Sequence, residues 1–222
     1  MKTSVTSTAR LLGAGLRALL VLTVVTGIVY PLVITGIAQG LFPGKANGSE
    51  IKADGKVVGS SLIGQSYDLP LEDDQETPEP DLKWFQGRPQ NGLGTNSVNT
   101  RYDLIVSGAT NRSADDEELI QWVEDAKAAV VKDNSAGGHT VNPSDVPADA
   151  VTSSGSGLDP NISPQYADIQ AHRVAELNGL PVERVQGLVD EHTENRTLGF
   201  IGEPRVNVLE LNIALKNLAA QN

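Results

Sequence analysis

The strongest pattern along the chain is a long run of apolar residues near its N-terminus. From Ala18 to Gly44 the only ionisable side chain is that of Tyr30. A helix needs roughly 20 apolar residues to cross a hydrocarbon core of about 30 Å, and Ala18 to Ile37 supply that length. We therefore predict a transmembrane helix and its exit over 18–41, a preceding tail over 1–17 and a following domain over 42–222.

The charged residues on the two sides of this run indicate its orientation. Lys2, Arg10 and Arg17 precede it, and the first acidic residue of the chain is Glu50. Because cationic flanks are retained in the cytoplasm, we predict a single-pass protein of the cell membrane with a cytoplasmic N-terminus and an extracytoplasmic C-terminal domain. A cleaved signal peptide is the alternative, but the run is longer than the roughly 7 to 15 apolar residues of a signal-peptide core.

Small residues within the run leave two interpretations open. Gly27 lies near its middle, and Gly36 and Gly40 have the small-xxx-small spacing that lets two membrane helices approach closely. This spacing indicates a partner helix in the membrane. Small residues are also generally common in membrane helices, and the pattern is compatible with that explanation too.

After the run, extended and helical periods of apolar residues alternate along the chain. The predicted elements are a strand over Val57–Gln65, a helix from Ser113 with an apolar stripe of Leu119, Ile120, Val123, Ala126 and Val130, a helix over Pro164–Asn178 with Ser163 as N-cap, a helix from Pro181 to about Asn195, a strand over Arg196–Glu203, and a last helix over Asn207–Ala220. Because no βαβ repeat is evident, the pattern favours a single mixed domain of the α+β class.

Two arginines in this domain each allow two interpretations. Arg88 lies in the aromatic segment Lys83–Pro89, which is either a packed anchor or presents an arginine to a partner carboxylate. Arg173 falls within the apolar arc of the helix over Pro164–Asn178. Either its stem packs while its guanidinium reaches water, or its guanidinium is buried against a carboxylate.

Composition and charge limit the classes of partner. The formal net charge is −11, and because the tail carries three cations, residues 18–222 carry about −14. Such acidity argues against nucleic acid and anionic lipid as partners. About 178 residues follow the apolar run, which is enough for one domain with its own core, and the chain contains no cysteine.

Catalytic motifs are incomplete. The segment Ser154-Gly155-Ser156-Gly157-Leu158 lacks the outer glycines of a nucleophile elbow. A triad of Ser156, His192 and Asp159 is conceivable, and it would make the chain a membrane-anchored serine hydrolase. Tight turns at Gly155 and Gly157 are the structural alternative. The three histidines have no metal-ligand spacing, and we predict no metal site.

Several segments together resemble one known family. They are SSLIGQ, WFQGRP, VPADAVTSSGSGLDPNISPQYADIQAHRVA and HTENRTLGFIGEPRVNVLELNIAL. On these segments, the chain from about Arg10 onward resembles the C subunit of the Kdp-type potassium-transporting P-type ATPase.

The resemblance implies an accessory subunit that catalyses nothing itself. Its partners would be a channel-like subunit that binds K⁺ and a P-type ATPase subunit that hydrolyses ATP, so that ATP and K⁺ act through those subunits. The resemblance also implies a catalytic chaperone that raises the ATP affinity of the hydrolysing subunit. A Ser-Gly-Gly-Ser-Asn segment is linked to nucleotide in the family, and it corresponds here to Ser107-Gly108-Ala109-Thr110-Asn111.

Only three positions of this segment match, so the resemblance makes Ser107, Gly108 and Asn111 the candidate nucleotide contacts. The predicted topology conflicts with that role, because ATP is cytoplasmic and the segment is predicted to lie outside. A role in assembly or in K⁺ entry beside the channel-like subunit fits an acidic outside domain better.

Overall fold

The structure is a computed structural model that describes residues 5–71, 77–95, 105–135 and 138–221. The chain divides into two compact units, Met1–Glu50 and Ile51–Asn222. The boundaries predicted at 17/18 and 41/42 stay a prediction.

One long helix dominates the N-terminal unit. It consists of α1 (Val5–Val24), a π-helical turn (Val25–Val29) and α2 (Tyr30–Leu41), and the four-residue α3 (Pro43–Ala46) follows. The stretch Ser7–Leu41 is the one helix in the described part of the chain that is long and apolar enough to cross a membrane. The predicted helix is thus present, although it begins before Ala18 and includes Arg10 and Arg17.

The π-helical turn ends at Val29, two residues before Pro31. Proline has no backbone N–H, and its ring clashes with the preceding turn of a regular helix. A wider turn over Val25–Val29 accommodates that ring without ending the helix. The Thr26 hydroxyl donates to the Leu22 carbonyl at 2.7 Å, so its polar group is satisfied within the helix.

A two-stranded sheet of β1 (Glu50–Ala53) and β2 (Lys56–Ser60) lies at the start of the C-terminal unit, and only Glu50 of β1 precedes the boundary. Its loop is Asp54-Gly55, whose positive φ angles of 53° and 77° suit a tight hairpin. The predicted strand over Val57–Gln65 is therefore present but ends at Ser60.

Two further small sheets are antiparallel. Strands β3 (Gly94–Thr95) and β4 (Ile105–Val106) form one of them. The other has the order β5-β7-β6, from Asn161–Ile162, Arg205–Asn207 and Thr193–Glu194.

Among the described residues, the unit also contains a short 3-10 helix (Ala148–Ala150) and four α-helices: α4 (Glu117–Asn134), α5 (Pro164–Asn178), α6 (Val182–Glu191) and α7 (Val208–Ala219). A long apolar helix followed by a mixed domain of helices and short strands confirms the predicted α+β class.

The ends of α5 are those predicted from the sequence. The Ser163 hydroxyl accepts a hydrogen bond from the Tyr166 N–H at 3.1 Å, and Gly179 ends the helix in the left-handed conformation, with φ of 64°. The predicted start of α4 at Ser113 is wrong. Helix α4 begins at Glu117, because the Asp116 carboxylate accepts from the Leu119 N–H at 3.0 Å and so acts as its N-cap.

The core lies where α5, α6 and α7 meet the three-stranded sheet. Its fully buried apolar side chains include Phe85, Val174, Val185, Val189, Val206, Leu211 and Leu215. The stripe predicted on α4 is buried only toward its C-terminal end: Val130 is buried, whereas Ile120 is 44% exposed. Helix α4 therefore covers the core with one end rather than along its whole length.

The predicted strand over Arg196–Glu203 is wrong. This segment forms a tight turn between β6 and β7, with a single bridge between Thr197 and Ile201. A run of apolar residues there indicated a strand, but Leu198 and Phe200 are 79% and 72% exposed and pack on nothing in the core.

Candidate functional site

Three of the segments singled out in the sequence meet around Asp159. The Arg88 guanidinium lies 3.3 Å from the Asp159 carboxylate and also donates to the carbonyls of Thr152 and Ser153, each at 3.3 Å. The Gly64 N–H donates to the Leu158 carbonyl at 2.8 Å. Residues from SSLIGQ, WFQGRP and SGSGLDP are thus joined by direct hydrogen bonds.

The role of Arg88 follows from these contacts. Its side chain is 23% exposed and that of Asp159 is 31% exposed, so the pair is only partly shielded from water. The carboxylate that Arg88 contacts belongs to the same chain. Of the two interpretations of the aromatic segment, the anchor within the domain is therefore the one that the structure supports.

The candidate nucleotide segment, residues 107–111, packs against residues 154–158, which we call the serine-glycine turn. The Ser107 hydroxyl and the Gly108 N–H both donate to the Ser156 carbonyl, at 2.8 Å and 3.1 Å. A Cβ atom on Gly108 would lie 2.7 Å from the Gly92 carbonyl oxygen, so the two backbones approach too closely for a side chain. Asn111 has φ of 53°, and its side-chain amide donates to the Ala109 carbonyl at 3.2 Å.

The space on the Gly64 side of this junction is small, whereas an open cleft of about 610 Å³ adjoins its other side, where Arg88, Asp159 and Arg205 line it. A cavity lined by Gly64, Arg88, Ser154, Asp159 and neighbouring residues measures about 10 Å³, which is room for about one water molecule. Small-molecule sites usually measure about 300 to 1,000 Å³. The geometry here is that of a packed junction, and nucleotide contact by Ser107, Gly108 and Asn111 stays a prediction.

The hypothetical catalytic triad is not assembled. The Ser156 Oγ atom accepts a hydrogen bond from the Leu158 N–H at 3.1 Å and lies 3.2 Å from the Ser154 Oγ atom. Asp159 contacts Arg88, and the His192 Nδ1 atom lies 2.9 Å from the Leu188 carbonyl within its own helix. Each of the three side chains is thus engaged in a contact that organises the local backbone.

A second cluster surrounds Arg173, which is 2% exposed. Its guanidinium donates to the Asn134 side-chain oxygen at 2.8 Å and to the Gln170 side-chain oxygen at 2.7 Å. It also donates to the backbone carbonyls of Leu82 and Trp84, the latter at 3.1 Å. These four acceptors are all neutral, so both interpretations of Arg173 from the sequence are wrong.

Burial lowers the pKa of the Arg173 guanidinium to about 10, because a low-polarity environment disfavours its charged form. Carbonyl and amide dipoles aimed at the cation offset part of that penalty. The cation connects α4, α5 and the segment of residues 82–84. Its function is therefore to join these three parts of the domain.

Two buried amides bind the neighbouring backbone in the same way. The Gln170 side chain accepts from the Gln86 N–H at 2.7 Å and donates to the Gln86 carbonyl at 3.1 Å. Asn212 makes the equivalent pair of bonds with Phe85. The sequence signal for these residues was present, since each is a polar residue within the apolar arc of a predicted helix.

Two histidines form a stacked pair. The rings of His139 and His172 are parallel to within 1°, with centroids 4.0 Å apart. Burial lowers the pKa of His172, and the neighbouring His139 lowers it further. Within the described residues, no group of three or more His, Asp or Glu side chains is placed to hold a metal ion.

Known proteins of one family match this chain over most of its length. The family model described as "K⁺-transporting ATPase, c chain" (KdpC) matches residues 12–217. The chain is 82% identical over 220 residues to the potassium-transporting ATPase KdpC subunit of Streptomyces coelicolor, covering 99% of this chain and 98% of the relative. The corresponding subunit of Caldanaerobacter subterraneus is 47% identical over 196 residues, covering 88% and 89%. That of Mycobacterium tuberculosis is 41% identical over 203 residues, covering 91% and 96%.

Proposed function

This chain belongs to the KdpC family, the c chains of K⁺-transporting ATPases, and on that premise we propose that it is a non-catalytic accessory subunit of an ATP-driven K⁺ import complex. Its partners in this proposal are a channel-like subunit that binds K⁺ and a P-type ATPase subunit that hydrolyses ATP. Its task is to hold the assembly together from one transmembrane helix and one extracytoplasmic domain.

The observation that carries the proposal is the apolar surface of the N-terminal helix. Its large side chains from Leu16 to Leu41 are largely exposed in the isolated chain, as expected of a surface that faces lipid or partner helices. At Gly27, Gly36 and Gly40, an added Cβ atom would meet nothing within 4 Å. These open positions allow the backbone of a partner helix to approach closely.

The test is the bulky substitution Gly27→Leu. Helix association in membranes depends on van der Waals contact, so a large side chain at a contacting glycine separates the helices. We expect less co-purification of the two large subunits and less K⁺-stimulated ATPase activity. Ile28→Leu, which conserves side-chain volume at the adjacent position, is the matched control and leaves both quantities unchanged. If no P-type ATPase accompanies the unmutated chain from K⁺-limited cells, the subunit function itself is wrong.

The proposed orientation is tested at Asn222. The cations before Ala18 favour a cytoplasmic N-terminus, which places the C-terminus outside. Protease added to cells with a permeable outer layer should therefore cleave at the C-terminus. A reporter fused to the C-terminus should likewise be active only as an extracytoplasmic reporter. Protection of that end in such cells would reverse the topology.

The location of the C-terminus also tests how the chain could act as the proposed catalytic chaperone. Direct ATP contact by Ser107, Gly108 and Asn111 requires that the domain face the cytoplasm. With the domain outside, any increase in ATP affinity must instead pass through contacts with partner subunits. Labelling of the intact complex with a photoreactive ATP analogue distinguishes these cases, because only the first places the label on residues 107–111.

We also propose that the negative charge of the outside domain assists K⁺ entry. Residues 18–222 carry a formal charge of about −14, and negative surface potential raises the local concentration of cations. Replacing exposed Glu117, Glu118 and Asp125 on α4 by their amides should raise the apparent KM for K⁺ at low ionic strength. The difference should disappear at high ionic strength, where the charges are screened.

A further inference from the structure

The chain contains three Asn-Gly dipeptides, which begin at Asn47, Asn91 and Asn178. Glycine has no side chain to shield the backbone nitrogen that follows the asparagine. That nitrogen can attack the side-chain carbonyl carbon (Cγ) of the asparagine and close a five-membered succinimide ring. By this criterion the three dipeptides are equivalent, so a difference in reactivity among them must come from the fold.

The fold holds Asn178 at the end of α5. Its side-chain amide donates to the carbonyls of Lys83 and Val174, at 2.7 Å and 2.8 Å. The N–H of Gly179 donates to the Glu176 carbonyl at 3.2 Å. Both reacting groups are therefore engaged, and the side chain must give up two hydrogen bonds before its Cγ atom can turn toward Gly179.

Asn47 is exposed, but its side-chain amide is engaged as well. It exchanges hydrogen bonds of 3.0 Å and 3.2 Å with the Gln39 amide and donates to the Pro43 carbonyl at 2.8 Å. The Gly48 N–H donates to the Lys45 carbonyl at 3.2 Å. Exposure alone therefore does not release this side chain for the reaction.

Asn91 differs from both. It lies with Gly92 at the centre of an exposed turn, which the Leu93 N–H closes by donating to the Gln90 carbonyl at 3.3 Å. Gly92 has φ of 94°, the left-handed conformation that glycine supplies in such turns. Among the residues that the structure describes, none forms a hydrogen bond with the Asn91 side chain or with the Gly92 N–H. Both reacting groups are thus available without the loss of a side-chain hydrogen bond.

We propose that Asn91 is the site at which this chain converts spontaneously to aspartate and isoaspartate. Hydroxide removes the proton of the Gly92 backbone nitrogen, which then attacks the Asn91 Cγ atom. The bond from Cγ to the side-chain nitrogen breaks, and this nitrogen takes a proton from water and leaves as ammonia. Water then opens the succinimide, giving aspartate when the new bond to Cγ breaks and isoaspartate when the original backbone bond breaks.

The product alters a close backbone contact. A Cβ atom on Gly92 would lie 2.8 Å from the Ala109 carbonyl carbon, and one on Gly108 would lie 2.7 Å from the Gly92 carbonyl oxygen. Isoaspartate adds a methylene group to the backbone immediately before Gly92, and either product adds a negative charge. Because this contact leaves no room for a longer backbone, the modification should displace the candidate nucleotide segment from the serine-glycine turn.

The first experiment follows the three dipeptides in the purified full chain, in mild detergent and mildly alkaline water enriched in heavy oxygen. Opening of the succinimide incorporates heavy oxygen at the modified residue, and peptide mapping by mass spectrometry locates it. We expect Asn91 to react roughly tenfold faster than Asn47 and Asn178, because the hydrogen bonds of the other two must break first. The difference should disappear in guanidinium, which unfolds the domain and removes those bonds.

Two variants are the matched controls. Asn91→Gln would have to close a six-membered ring and should give no product at position 91. Gln39→Ala removes a hydrogen-bond partner of Asn47 but keeps a residue that favours helix, and it should raise the rate at Asn47 alone. Equal rates at the three positions of the folded chain would overturn the inference. Faster reaction at Asn47 or Asn178, or a difference that persists in guanidinium, would overturn it too.

Hydrogen exchange measures the consequence for the backbone contact. After equal incubation, the peptide that contains residues 107–111 should exchange faster in the unmutated chain than in Asn91→Gln. Freshly prepared Asn91→Asp adds the charge without the methylene group and should exchange as the chain does before incubation. Equal exchange in the incubated unmutated chain and Asn91→Gln would show that the contact tolerates the modification and would contradict the proposed displacement. Faster exchange in fresh Asn91→Asp would contradict the role of the longer backbone.

Discussion

The side-chain amide of Asn212 closes two hydrogen bonds of 2.9 Å on the backbone of Phe85, one to its N–H and one to its carbonyl. Both residues are buried and lie 127 positions apart in the chain. A backbone segment without strand neighbours would leave these groups unpaired in the core, which is unfavourable. An amide has one donor and one acceptor side, so Asn212 satisfies both groups at once.

This relationship predicts a large effect of Asn212→Leu. The substitution conserves volume approximately but leaves the buried N–H and carbonyl of Phe85 without partners, which should cost about 2 to 4 kcal/mol of unfolding free energy. Denaturant unfolding of the full chain in detergent, followed by tryptophan fluorescence, measures it. Gln121→Leu on the exposed face of α4 is the control and should change stability by less than about 0.5 kcal/mol. Equal effects of the two substitutions would contradict the role given to Asn212.

The serine-glycine turn predicts opposite results for its two glycines. Gly157 has φ of 68°, and a Cβ atom there would lie 2.6 Å from the Leu93 side chain, whereas a Cβ atom on Gly155 would meet nothing within 4 Å. We expect Gly157→Ala to destabilise the domain by about 1 to 3 kcal/mol and Gly155→Ala to have little effect. Thermal unfolding of the two variants measures the difference. If Gly155→Ala were the more harmful one, the motif would have a function other than packing.

The buried guanidinium predicts that lysine cannot replace Arg173. A lysine ammonium lacks the planar fork that reaches four acceptors on three parts of the domain. Arg173→Lys and Arg173→Met should each reduce the unfolding free energy by about 3 kcal/mol or more, because the backbone carbonyl groups of Leu82 and Trp84 lose their hydrogen-bond donor. Arg184→Met, at an exposed position of α6, is the control. Full stability of Arg173→Lys in the same assay would show that the hydrogen bonds matter less than the charge.

The histidine pair predicts weaker stability in acid. The pKa of His172 is lowered in the folded domain from its ordinary value of 6.5, so on acidification the unfolded chain binds the proton first. The contribution of His172 to stability is therefore complete above about pH 6.5 and is lost as the pH falls below that value toward its folded pKa. His172→Phe keeps a ring beside His139 but removes the titration. Between pH 7.5 and 5.5 its unfolding temperature should fall less than that of the unmutated chain, and an equal fall would exclude His172 as the cause.

Local features explain which elements could be predicted from the sequence. The long N-terminal helix follows from the length of one apolar run, and α5 follows from Ser163 before Pro164 and Gly179 after Asn178. Helix α7 follows in the same way from Leu211 and Leu215 at helical spacing. Capping and periodicity act between residues three or four positions apart, so the residues themselves contain that information.

The start of α4 and the turn between β6 and β7 show where local patterns mislead. Two residues just before the start of α4, Ser113 and Asp116, are both good N-caps, and only the Asp116 carboxylate accepts a hydrogen bond from an N–H of the first helical turn. The apolar residues of Arg196–Glu203 have the composition of a strand, but the segment turns back on itself between β6 and β7, so its pairing is limited to one bridge between Thr197 and Ile201.

The sequence by itself determined the long apolar helix, the class of the domain, the family, and the segments that matter within it. Only the tertiary structure decided what those segments do for one another: Arg88 pairs with Asp159 across 71 positions, Arg173 binds neutral carbonyls instead of a carboxylate or water, and Asn212 binds Phe85 across 127. The physical reason is that a polar residue in the apolar arc of a helix indicates only that its side chain needs a hydrogen-bond partner. Which partner it finds depends on how distant backbone segments pack, and no local spacing encodes that choice.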